Sequence, residues 1–156
     1  MIIDTASPMN RGVLNYLGRG QKSHYTVIAA PNSVTDPYQG QGSHPDIVQR
    51  VWDELGANLP LQCRCLIYGT PALVQDRTGV VIAICNGTQY NLRLTPSDLR
   101  NATAKGFSTR TRWSNGEEMD SIAELGPDWI FGGWSKEEGK WLRDIYVENG
   151  SANQSL

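Results

Sequence analysis

The chain has 156 residues, with 14 basic and 16 acidic side chains and a formal net charge of −2. That length suits one core burying roughly two-thirds of the unfolded surface, and 39% hydrophobic with 19% charged residues argues against a disordered chain. The near-neutral balance argues against a nucleic-acid binder held by bulk positive charge, and the longest apolar run, six residues, is far too short for a membrane-spanning helix. The opening Met1-Ile2-Ile3-Asp4-Thr5 lacks the basic and apolar regions of a secretory signal, so the expected location is the cytoplasm. Cys63, Cys65 and Cys85 are then read as buried, reduced thiols. With His24 and His44 at no zinc spacing, neither a metal nor a cofactor is expected.

In chain order, Ser7 to Leu17 reads as a short helix, with Ser7 as cap, Pro8 in the first turn and Gly18 as stop. Tyr25–Ala30 reads as a strand ended by Pro31, and 31–43 as a loop rich in proline and glycine. His44-Pro45-Asp46 opens a stronger helix, capped by Ser43 or His44. Its Ile47, Val48, Val51, Trp52, Leu55 and Leu59 form one apolar stripe, and Gly56 ends it. Arg64 to Leu94 organises the rest. It reads as three or four short strands, punctuated by Gly69-Thr70-Pro71, Asp76-Arg77-Thr78-Gly79 and Asn86-Gly87. Asn-Gly is a strong hairpin signal because both residues accept positive φ. Val80–Cys85 is apolar on both faces and belongs mid-sheet. The next strand alternates Thr88, Tyr90, Leu92 and Leu94 against Gln89, Asn91 and Arg93, which predicts one wet face.

Thr95 caps a further short helix that ends at Gly106, and Phe107–Trp113 alternates as a strand turned by Asn115-Gly116. Glu117–Leu125 fits either a strand or a short helix. Gly126–Trp134 holds three aromatics in a glycine-rich loop, and Ser135 with Glu138 forms a capping box that launches a last helix over 136–149. Residues 151–156 read as a frayed tail. Together these elements predict a single α+β domain over 1–150, its first 43 residues less regular. An antiparallel sheet of five or six strands would carry its helices mainly on one face.

No catalytic constellation emerges. Gly18-Arg19-Gly20 and Gly40-Gln41-Gly42 fall short of a dinucleotide fingerprint, no P-loop is present, and both histidines come too early for a serine hydrolase. His44 reads as a helix cap. Alternatively, with Asp46 and Tyr90, it would line a pocket that binds or hydrolyses a small molecule. Trp129, Phe131 and Trp134, with Trp141, would close the end of the sheet under the last helix or, if exposed, anchor a partner protein. Arg93, Arg110 and Arg112 make a basic edge, an exposed sheet face by default and a clamp for single-stranded nucleic acid in the alternative.

Gly69-Thr70-Pro71-Ala72-Leu73-Val74, Gly79-Val80-Val81-Ile82-Ala83 and Tyr90-Asn91-Leu92-Arg93-Leu94 carry a resemblance that spans Tyr68 to Tyr146. A helix, Gly106-Phe107 and a late Trp141–Tyr146 helix follow in similar order. The order resembles the small α+β domain of the TfoX N-terminal and YjbR-like proteins. The segment up to Pro60 and the Gly126–Trp134 loop depart from that pattern. The resemblance implies a regulatory rather than catalytic role and carries over no catalytic residues. The reading reached is a non-enzymatic cytoplasmic module that meets another protein through the 127–134 loop and the wet sheet face.

Overall fold

A computed structural model describes residues 3–18, 27–29, 43–107, 124–132 and 135–145. Of the expected strand over 107–113 only Phe107 is described; its remainder, the turn at 115–116 and the end of the last helix lie outside the described residues. Among the described residues, six strands run β1 (Val27–Ala29), β2 (Arg64–Ile67), β3 (Thr70–Val74), β4 (Val81–Asn86), β5 (Gln89–Arg93) and β6 (Trp129–Gly132). They lie side by side in chain order, and every neighbouring pair is antiparallel. Each of the three hairpins at the centre closes on its sequence neighbour, as short turns between apolar runs require.

The turns differ in detail from their expected form. Asn86 pairs with Gln89, so the β4–β5 loop is Gly87-Thr88, and only Gly87 takes positive φ, at 66°. The loop with two left-handed residues is Tyr68-Gly69, at φ 48° and 81°, between the paired Ile67 and Thr70. Tyr68 thus holds a backbone conformation that side chains other than glycine rarely adopt. Between β3 and β4, Leu73 pairs with Ala83 and Val74 with Val81, leaving Ile82 as an extra residue. Such a bulge lets consecutive residues face the same way. Ile82 and Ala83 accordingly enter one core and Val81 and Ile84 the other.

Three helices among the described residues cover the first face. α2 (Pro45–Gln49) starts with Pro45 pre-set at its first position and continues as a π-helical stretch over Arg50–Leu55. α3 (Pro96–Ala104) is capped by Thr95, and α4 (Lys136–Arg143) by Ser135, each accepting from a backbone N–H of the first turn. The expected stripe of Ile47, Val48, Val51, Trp52, Leu55 and Leu59 packs on Leu66, Leu73, Ile82 and Leu92, with Ala102 and Leu142 completing the layer. The Trp52 indole N–H donates to the Ala72 carbonyl at 2.9 Å. At the rim, Arg64 pairs with Asp53 at 2.6 Å and Arg143 with Glu54 at 2.9 Å, tying the π-helical turn to β2 and α4.

On the second face a short 3₁₀ turn (Pro8–Asn10), capped by Ser7, runs into α1 (Arg11–Gly18). Val13 is fully buried there among Cys65, Ile67, Val74, Ile84, Trp129 and Phe131. A Cβ on Gly12 would lie 2.6 Å from the Glu124 carbonyl oxygen, so glycine sets how closely α1 approaches the 124–125 segment. The predicted wet face of β5 is overturned here. Asn91 is 0% exposed and Arg93 5%, and both find partners inside the fold, in β4, in the 128–130 segment and at Met9. The predicted 126–134 loop is likewise corrected. Its centre is β6, which pairs Trp129 with Arg93 and Phe131 with Asn91.

Candidate functional site

Arg93 shows why a charged residue can sit inside this fold. Its Nε donates to the Val81 carbonyl at 2.9 Å, one terminal nitrogen to the Asp128 carboxylate at 2.9 Å, and the other to the Met9 carbonyl at 2.9 Å. The guanidinium also lies 4.8 Å from the centre of the Trp129 ring. All sides of the fork are engaged, which is the condition for burying a cation without a large penalty. Arg93 therefore joins the 3₁₀ turn, β4 and the approach to β6, and it is not part of an exposed basic edge. Arg110 and Arg112 lie outside the described residues.

The aromatic group divides. Trp129 and Phe131 are buried on the α1 face, while Trp141 packs on the opposite face, its ring 5.5 Å from that of Phe107. Trp134 lies outside the described residues. His44 caps α2, its Nδ1 accepting from the Asp46 N–H at 3.2 Å, and Asp46 is exposed. Tyr90 is fully buried, and its hydroxyl donates to the Glu138 carboxylate of α4. Its ring crosses the backbone of Gly132, where any Cβ would collide with it. Sequence reasoning placed Glu138 in a capping box; its buried contact with Tyr90 depends on a partner 48 positions away. His44, Asp46 and Tyr90 are not among the described lining residues of the nearby pocket.

A pocket of about 340 Å³ does lie close to His44. The turns at 68–69 and 87–88 close the same end of the sheet, and α1 ends above them. Tyr16 and Leu17 of α1 form one wall, and Ser43, leading into α2, forms another. Thr70 at the start of β3 and Cys85, Asn86 and Gly87 at the end of β4 complete the described lining. The His44 N–H donates to the Gly87 carbonyl at 2.9 Å, which anchors the start of α2 to this turn.

Hydrogen bonds order the floor. The Asn91 amide donates to the Ile130 carbonyl at 3.4 Å, and its oxygen accepts from the Asn86 amide at 3.0 Å. The same Asn86 nitrogen donates to the Tyr16 hydroxyl at 3.4 Å. Burial pushes the Cys85 thiol up to about 12, so it is held as a neutral thiol rather than a nucleophilic thiolate. The described lining contains no carboxylate, imidazole or amine. Among the described residues, no cluster of three or more His, Cys, Asp or Glu could hold a metal ion. The described lining can form neutral hydrogen bonds. The sequence signals for it were Thr70, Asn86 and Gly87, read as turn residues; Tyr16 and Ser43 come from distant positions that only the fold brings together.

No protein-family model matches this chain, and neither curated proteins nor solved structures yield a match. No helix among the described residues is long and apolar enough to cross a membrane.

Proposed function

We propose that this domain is a binding module without chemistry of its own, which takes a small molecule in the pocket between the end of α1 and the β4–β5 turn. The observation that carries this reading is a concave site of about 340 Å³ whose described lining consists of neutral side chains, several of them hydrogen-bonding. That volume lies near the lower end of the range of about 300–1,000 Å³ typical of small-molecule sites. General acid–base or nucleophilic catalysis needs an activated group; the described lining offers the Cys85 thiol, held protonated by burial, and the hydroxyls of Tyr16, Ser43 and Thr70. A regulatory role of the kind implied by the TfoX N-terminal and YjbR-like resemblance fits a module that binds without turnover.

Burial of Trp129 and Phe131 takes support from the protein-contact reading, and burial of Arg93 takes it from the nucleic-acid reading. The direct test is a screen of small polar compounds by amide chemical-shift perturbation. Shifts clustered at Leu17, Thr70, Asn86 and Gly87 are expected; hits that cluster elsewhere on the molecule would overturn this site.

A further inference from the structure

We infer that the pocket takes an uncharged, polyhydroxylated ligand of monosaccharide or nucleoside size, with the Tyr16 hydroxyl as an oriented hydrogen-bond donor. The inference rests on the binding reading above and names the ligand class for the same site. Its basis is a relay of amides with a fixed sense. The backbone carbonyl of Ile130 can only accept, so the Asn91 side chain must turn its nitrogen toward Ile130 and its oxygen toward Asn86. Asn86 must then present its own nitrogen to Asn91, and the same nitrogen reaches Tyr16. The Tyr16 oxygen thus already accepts a hydrogen bond, which leaves its own O–H to be donated into the pocket. With both amide hydrogens of Asn86 committed, its carbonyl oxygen is left as an acceptor.

Ser43 and Thr70 add two hydroxyls that make no side-chain hydrogen bond among the described residues. The site therefore offers a mixed set of donors and acceptors. A ligand hydroxyl, which both gives and takes a hydrogen bond, satisfies such a set. A phosphate or carboxylate would be desolvated with no cation in the described lining, and an ammonium with no carboxylate. A purely apolar ligand would strand every one of these groups. The ring of Tyr16 and the side chain of Leu17 supply the apolar flank against which the C–H face of a sugar ring can lie.

The test is calorimetric titration of the full chain with matched probes: neutral hexoses, pentoses and ribonucleosides against a hexose phosphate, a uronate and an amino sugar. A neutral probe is expected to bind at least tenfold more tightly than its charged counterparts. Tyr16→Phe should weaken that binding about five- to tenfold, the worth of one neutral hydrogen bond. Tyr16 is only partly buried, so this variant should fold normally; Thr70→Val, on a different element, gives a second reading of a lost hydroxyl. Equal or tighter binding of a charged probe, or unchanged affinity in both variants, would overturn the ligand class. If only charged or apolar compounds shift the pocket resonances, the class fails and the pocket stands. If nothing shifts them, both fail.

Discussion

Under α2, α3 and α4 the sheet meets Ile, Leu, Val and Trp side chains; described polar contacts on this side include the Trp52 indole on Ala72, the Tyr90 hydroxyl on Glu138 and, at the rim, the Arg64–Asp53 and Arg143–Glu54 pairs. Under α1 the sheet also meets Asn10, Asn91 and Arg93, all buried. The Asn10 amide donates to the Asp4 and Gly79 carbonyls at 2.7 and 2.9 Å, and its oxygen accepts from the Val81 N–H at 2.8 Å. The first face is a surface-area problem, tolerant of shape changes that conserve volume. The second is a matching problem, in which α1 can dock in one register only, because any shift would orphan buried donors and acceptors. The contrast has a use. The candidate pocket opens beside α1, so the helix that walls it is also the one held by directional bonds.

The sharpest way to break this comparison is Arg93→Ala. It strands the Met9 and Val81 carbonyls and leaves Asp128 without its guanidinium partner, and a loss of about 4 kcal/mol is expected from urea unfolding. A loss below about 1 kcal/mol would mean the α1 face is held by area alone. Asn10→Asp is nearly isosteric, yet it turns an oxygen toward two carbonyls. About 2–3 kcal/mol is expected, because a hydrogen-bonded pair becomes a repulsive one.

The thiols probe both faces at once, since Cys65 belongs to the α1 core and Cys85 to the other. Burial pushes each from 9.0 to about 12, with a smaller contribution from Cys63 in the case of Cys65. A raised folded value means the contribution is fully present below pH 9 and is lost as pH rises toward 12. At pH 10 each thiol should cost about 1.4 kcal/mol. Cys65→Ala and Cys85→Ala should flatten the alkaline limb of the stability–pH curve by similar amounts; a curve unchanged in either variant would show that thiol to be accessible in the native state. The smallest effect belongs to the apolar face. Leu142→Met keeps volume and should cost less than about 1.5 kcal/mol by thermal unfolding, whereas a larger cost would put shape matching on that face too.

Much of this architecture was legible in particular residues. Ser7, Thr95 and Ser135 cap the elements they were expected to cap, and the 47–59 stripe buries as its spacing required. Alternation misled at β5. Asn91 and Arg93 looked like a solvated face because a polar side chain in a strand usually faces water, and nothing local reveals that β4, β6 and the turn before α1 will supply their partners. The same holds for Trp129 and Phe131. Glycines around them suggested a loop, while the free edge of β5 offered backbone hydrogen bonds that made a strand.

By itself the sequence determined what depends on neighbours along the chain: helix starts, turn positions, the apolar periodicities and hence an α+β sheet with helices on its faces. Tertiary structure alone decided which polar residues lie inside and which groups meet at the pocket. Tyr16, Thr70 and Asn86 are far apart in the chain, and a hydrogen bond between distant residues leaves no trace in periodicity. Local propensities act over a few residues, whereas satisfaction of buried polar groups is settled only when separate elements close on one another.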